Sequence, residues 1–319
     1  MSIPIHILKI TCAVSIFLCG NCLEAASFIA VTGNSENGEF RENSFYEVET
    51  KKGRARYIGS ASVAPNQLAY DTLNGNYYYM DHGGSNFYRY DVNEGIEYLM
   101  GDLTAYGMPA GKTGSGGGDF YNGRYYYTPE TGSSSIYVVS LTEDGRGISR
   151  QTPITPFNLG LINPLDDGSA GAGLGDFGDI AIDSTSGFMY GSSSMGSGSE
   201  LMTTFWRINL TDPQFEMTIL NANVGSVYQL AFDDNGQLWG NSWQSGGVMV
   251  QLDPATGEII SQQNLQYRED GKGKWRDANG DFYDLASTGS RDGFPVIPEP
   301  SQTALISLAL AALGCRRRR

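Results

Sequence analysis

The chain has little cysteine and almost no histidine. Its four cysteines are Cys12, Cys19, Cys22 and Cys315, all in apolar stretches near the two ends. The body between them has none, which excludes a disulfide framework, a thiolate metal site and a cysteine nucleophile there. His6 lies in the N-terminal stretch, so His82 is the only histidine of the body. One histidine excludes a multi-histidine metal site. A Ser-His-Asp triad would have to use it, and no Gly-x-Ser-x-Gly elbow is present. His82 reads as a polar loop residue. Basic side chains are also few: 21 Lys and Arg stand against 35 Asp and Glu, a net charge of −14. So acidic a surface repels nucleic acid and anionic membrane and favours cations. It also suits solubility in an exposed setting. Helical periodicity is nearly absent between Ser27 and Pro295.

The two ends are distinct from the body. Lys9 precedes a largely apolar run from Ile10 to Leu23, and Ala25, Ala26 and Ser27 are small. That order is a secretory signal peptide over residues 1–26, with cleavage at Ala25 and Ala26. A lipoprotein signal is disfavoured, because Leu18 and Asn21 are poor residues before Cys19 and Cys22. The other end reads Pro298-Glu299-Pro300, an apolar run from Thr303 to Cys315, then Arg316-Arg317-Arg318-Arg319. The run of about 13 residues is shorter than the roughly 20 that span a bilayer as a helix. Four arginines stay on the cytoplasmic side. A core helix would not end in them, so the segment suits a temporary stop at the membrane. This bounds a tail at 293–319 and a body at 27–292.

The body repeats itself. Leu68-Ala69-Tyr70-Asp71 precedes Asn74-Gly75-Asn76-Tyr77-Tyr78-Tyr79, and Asn122-Gly123-Arg124-Tyr125-Tyr126-Tyr127 echoes the second part. Ile180-Ala181-Ile182-Asp183 and Leu230-Ala231-Phe232-Asp233 precede Ser186-Gly187 and Asn235-Gly236 in the same way. Such turns between apolar runs predict hairpins of type I′. Third strands such as Phe87 to Tyr90, and fourth strands such as Ile259 to Gln262, complete each unit. Four strands per unit of about 50 residues is the pattern of a β-propeller blade. Units begin near Leu68, Asp119, Asp179 and Gln229. The chain opens with strands two to four of another unit and closes with a lone first strand at Tyr283 to Ala286. Joined, those pieces make a fifth blade and close the ring. A six-bladed ring, with strands in the Gln151 to Ala172 region, and a β-sandwich are the alternatives. Gly111 to Gly118, Gly168 to Gly178 and Gly191 to Gly198 read as surface loops. Asp166 and Asp167, in the longest connection, read as solvated.

The tail resembles the PEP-CTERM sorting signal, and the body resembles the YVTN- and NHL-like group of bacterial propellers. The first resemblance implies a Gram-negative exported protein processed by an exosortase-like membrane protease after passage through the secretion translocon. It further implies display or release at the cell surface, in company with extracellular polysaccharide. The second implies architecture alone. Gly118-Asp119-Phe120-Tyr121 departs from the repeat by lacking its alanine and final aspartate.

Candidate chemistry is sparse. Gly107 to Thr113 is one residue short of a phosphate-binding loop and lacks the strand-to-helix context. Asp277, Asn279, Asp281 and Asp284 place oxygen ligands at near-alternate positions, as a calcium loop does. Phe282 and Thr288 stand where an EF-hand-type loop needs glycine and glutamate, and a plain turn explains the segment equally. Asp71, Asp183, Asp233 and Asp284 read as repeated caps of turn N–H groups, or else as a ring of carboxylates about the axis. Trp239, Trp243 and Trp275 could stack on sugar rings or pack between blades. The expectation is therefore a monomeric, non-enzymatic, exported binding or matrix protein without a cofactor, calcium apart. A secreted carbohydrate-active enzyme with an Asp/Glu pair is the alternative.

Overall fold

Repeated strand pairs close into a ring of five sheets in the computed structural model. The structure describes residues 26–33, 40–108, 116–129, 135–149, 155–158, 176–195, 202–212, 217–221, 224–225, 227–241, 246–268 and 273–288. The signal segment before Ala26 and the whole Pro298 to Arg319 tail lie outside them.

Strands β1 (Ser27–Val31), β2 (Ser44–Glu49) and β3 (Arg54–Ser60) open the chain. The first full blade holds β4 (Pro65–Asp71), β5 (Asn76–Asp81), β6 (Asn86–Asp91) and β7 (Ile96–Asp102). The second holds β8 (Gly118–Tyr121), β9 (Arg124–Tyr127), β10 (Ser135–Ser140) and β11 (Thr155–Asn158). The third holds β12 (Asp176–Asp183), β13 (Phe188–Met195), β14 (Met202–Asn209) and β15 (Met217–Asn221). The fourth holds β16 (Gln229–Phe232), β17 (Leu238–Asn241), β18 (Val248–Leu252) and β19 (Ile259–Asn264). After the two-residue strands β20 (Gln266–Tyr267) and β21 (Arg276–Asp277), β22 (Asp284–Ala286) returns to the start of the chain.

There β22 pairs antiparallel with β1, Ala30 facing Leu285. The expected fifth blade is thus made from both ends of the body. Its sheet runs β21-β20-β3-β2-β1-β22, so β20 and β21 extend its outer edge. Closure sets each first strand, the inner edge of its sheet, against its neighbours about the axis. The strand β11 within the 151–172 region completes the second blade instead of starting a sixth. The strand order also excludes a sandwich, since each sheet is a separate blade. The glycine-rich segment from Gly191 is not a loop at its start: Gly191 to Met195 continue β13 against β14. Gly191 tolerates this because the Trp206 ring lies where a Cβ would stand.

The hairpins differ in a way that the repeat explains. At Asn122-Gly123 both residues have positive φ, 50° and 74°, as a type I′ turn requires. In the other three units only the glycine does. There an aspartate ends the first strand and its carboxylate takes turn N–H groups. Asp71 accepts from Leu73 and Asn74, Asp183 from Thr185, and Asp233 from Asn235 and Gln237. The second unit lacks that aspartate and uses the tighter turn.

Apolar side chains fill the seams between blades. Phe28, Tyr46, Trp239, Met249 and Phe282 pack between the fourth blade and the closing one. Ile29, Phe45, Leu68, Tyr77 and Tyr79 pack between the closing blade and the first.

Candidate functional site

First strands line the axis, each in contact with the next: β4 with β8, β8 with β12, β12 with β16, β16 with β22, and β22 with β4. One position recurs along them, immediately before the apolar pair of each first strand, occupied by Gln67, Asp119, Asp179, Gln229 and Asp284. In β4 and β12 this position falls at a β-bulge. A bulge leaves backbone groups outside the ladder, and the acids bind such groups. Asp119 accepts the Phe120 N–H at 2.8 Å and the Ile182 N–H of the third blade at 2.5 Å. Asp179 accepts from Ile180 at 2.7 Å and from Leu230 of the fourth blade at 2.9 Å. Asp284 accepts from Leu285 at 3.0 Å and from Leu68 of the first blade at 2.5 Å. Where the acid is replaced by Gln67, the amide donates to Thr128 O at 2.7 Å.

The three carboxyls are fully buried, and burial pushes each of them up. Asp119 is raised to about 7, with the Ser287 hydroxyl and backbone N–H groups opposing the shift. Asp179 and Asp284 are close enough at the axis for each to perturb the other. Desolvation raises both, and the nearby Asp284 charge raises Asp179 further. This arrangement fastens neighbouring blades together. The aspartate repeat therefore splits in two: Asp71, Asp183 and Asp233 cap turns, whereas Asp284 belongs with the axial acids Asp119 and Asp179.

The remaining candidates are dispersed. Asp277 is exposed on β21, and Gln266 Nε2 approaches it at 3.4 Å. Asp281 is buried and accepts the Gly247 N–H at 2.9 Å. Asp284 is held at the axis. Among the described residues no group of three or more His, Cys, Asp or Glu side chains is placed to hold a metal. His82 faces Asn66 Nδ2 at 3.1 Å and lies edge-on to Tyr283. Trp239 is buried and donates to Asp233 Oδ2 at 3.0 Å. Trp275 is flanked by the guanidinium groups of Arg54 and Arg268, at 5.0 and 4.8 Å from its ring. Trp243, Asp166, Asp167 and Lys112 lie outside the described residues, as does Ala25 of the cleavage site.

An opening of about 350 Å³ lies at the seam between the closing blade and the first. No motif in the sequence announced it. It sits on the face where first strands end. Ile29, Ile58, Tyr70, Tyr77 and Val92 form its apolar wall, and Tyr70 meets Tyr77 edge-on at 5.0 Å. Glu47, Arg56, Thr72 and Asp234 supply its polar groups, together with Ser27 and Thr288. Glu47 and Arg56 form an ion pair. Ser27 Oγ donates to Glu47 Oε1 at 3.2 Å. Burial, followed by the charges of Asp71 and Glu47, raises the Tyr70 hydroxyl above its usual range, so it remains a neutral donor. An apolar wall with a few fixed polar groups is how clefts bind and orient small ligands.

No family model and no curated protein matches this chain. Solved structures similar to it include one of a nidogen–laminin complex, at 13% identity and TM-score 0.46, covering 82% of this chain and 97% of that one. Another is the calcium-binding protein regucalcin of Agrobacterium tumefaciens, at 14% identity and TM-score 0.41, over 76% and 81%. A third is a luciferin-regenerating enzyme, at 10% identity and TM-score 0.39, over 65% and 78%. The propeller assignment rests on the strand order and ring closure of the chain itself.

Proposed function

We propose that this is an exported, surface-sorted, non-enzymatic propeller that binds extracellular polysaccharide at the seam cleft. The observation that carries the reading is the lining of that cleft. The apolar wall suits the C–H face of a sugar ring. Arg56, Glu47, Asp234 and the Tyr70 hydroxyl suit its hydroxyl groups. The axial carboxyls are satisfied by protein donors and act as clasps, which favours binding over catalysis. Export is supported by the sequence of the ends. The ring starts its first strand at Ser27 and finishes its last at Ala286. Loss of the signal segment and of the 293–319 tail therefore removes no described strand. An exosortase-like protease and the translocon are the partners of that processing, and the product is a monomer at the cell surface or released from it.

The test is a glycan-array screen of the processed protein, with and without calcium. Binding to a defined set of polysaccharides is expected. No binding in either condition overturns the carbohydrate reading. Hydrolysis is the second reading, because Glu47 and Asp234 both line the cleft. Release of reducing sugar from a bound glycan would establish it.

A further inference from the structure

Basic side chains gather at the outer edge of the closing blade, although the chain as a whole is acidic. Lys52, Arg54 and Arg56 stand in or just before β3. Arg268, Lys274 and Arg276 stand in or beside β20 and β21. Acids oppose some of them. Glu47 pairs with Arg56, and Lys52 Nζ lies 2.8 Å from Glu49 Oε1. Glu49 faces Arg54 in the β2–β3 register, so Lys52 engages the carboxylate opposite Arg54. Asp277 is exposed next to Arg276 and is approached by Gln266. Among the described residues Arg54, Arg268, Lys274 and Arg276 form no ion pair.

One aromatic ring holds two of these cations. Trp275 follows the Tyr267–Arg276 pair by one step, which sets it across from Arg268. Arg54 is in register with Gln266 on the other side of β20. The two guanidinium groups lie 5.0 and 4.8 Å from the Trp275 ring. Their Nε atoms are buried and lack a hydrogen-bond partner. A buried charged donor without an acceptor is destabilising, and an anion beside the group offsets that cost. A guanidinium fixed by a π face also keeps its terminal N–H groups for a planar carboxylate.

The pair of arginines adjoins the seam cleft. Arg54 and Arg56 share one face of β3, opposite the buried Ala55, about 7 Å apart along the strand. Arg56 lines the cleft. A polymer seated on the apolar wall of the cleft therefore meets Arg54 two strand positions further along.

We propose that Arg54, Trp275 and Arg268 form a carboxylate clamp, and that the polysaccharide of the seam cleft is an acidic one carrying uronate groups. This inference rests on the carbohydrate reading of the cleft and names its class of sugar. Nucleic acid and anionic membrane suit the clamp less well. Both carry dense charge over a wide surface, and the net charge of −14 repels them outside this narrow patch.

Polygalacturonate and its neutral methyl ester are the probes, each titrated against the protein at low salt. The acid form should bind at least tenfold more tightly, and added salt should shrink the difference. Arg54→Gln together with Arg268→Gln should abolish the difference and leave the affinity for the ester unchanged. Should that double variant fail to fold, Lys274→Gln together with Arg276→Gln decides, because both positions are exposed. It should weaken binding of the acid form at least threefold. Equal affinities for acid and ester, or no binding of either, overturn the clamp. So does an acid preference that survives both double variants. A single-stranded oligonucleotide or anionic phospholipid vesicles bound as tightly as the acid form overturn the assignment to a sugar. Arg56→Ala tells the clamp from the cleft and should weaken binding of the ester. That weakening without any acid preference sinks the clamp alone. An acid preference with ester binding untouched by Arg56→Ala sinks the cleft alone.

Discussion

Asp119 of the second blade and Ser287, just beyond the closing strand, meet across the axis: Ser287 Oγ donates to Asp119 Oδ2 at 2.7 Å. The same hydroxyl accepts the Phe232 N–H of the fourth blade at 3.1 Å. One side chain thus ties three blades. Ser287→Ala leaves the buried Phe232 N–H without this acceptor and removes a donor from Asp119. The expected loss is about 2 kcal/mol, read as a lower urea midpoint at unchanged slope.

The axial acids give stability a definite pH dependence. Asp119, Asp179 and Asp284 are raised in the folded ring above the ordinary carboxyl value. The folded state therefore holds protons that the unfolded chain releases above about pH 4, so stability falls as pH rises. Their contribution is full below pH 4 and is lost through the folded values, with Asp119 spent near pH 7. Urea midpoints measured from pH 4.5 to 8.5 should decline steadily. Asp179→Asn supplies a permanent N–H donor toward Asp284 and should make the decline shallower.

Closure by β22 is indispensable to the ring. Asp284, Leu285, Ala286 and Ser287 are all buried, and Asp284 also holds Leu68 of the first blade. A chain ended at Gly280 exposes the edges of β1, β4 and β16. It should lose cooperative unfolding and bind hydrophobic dyes. A chain ended at Ser290 should melt as the longer protein does.

Gly191→Ala tests the tightest approach inside the third blade. A Cβ there would stand 2.1 Å from the Trp206 ring. That ring is fully buried and its Nε1 donates to Ser193 Oγ at 3.0 Å, so it has no easy retreat. Overpacking should cost about 1–3 kcal/mol and alter the near-ultraviolet signature of Trp206.

Much of the fold was legible because each blade repeats the same chemistry. The apolar-Ala-apolar strand, the Asn-Gly or Ser-Gly turn and the aromatic second strand recur, and the unmatched Tyr283 to Ala286 segment foretold closure. The axial cluster was harder to read. Asp284 resembled the turn-capping aspartates, although it stands four residues earlier in the repeat. Setting Gln67-Leu68-Ala69, Asp179-Ile180-Ala181, Gln229-Leu230-Ala231 and Asp284-Leu285-Ala286 in register would have exposed the column. The run at Gly191 misled because its small residues serve the close approach of Trp206 in a strand, not the freedom of a loop. The seam cleft had no local signal. Its lining comes from β1 to β5, the turns after β6 and β16, and the residues after β22. Only closure of the ring brings those together.

Binding at the seam cleft is tested most directly by the affinity of the processed protein for its best polysaccharide, compared with that of Arg56→Ala. Arg56 is largely exposed and pairs with Glu47, so its loss should leave the fold intact. Binding at least tenfold weaker, about 1.4 kcal/mol, is expected at an unchanged urea midpoint. Equal affinity of the two proteins would contradict a ligand seated in the seam cleft.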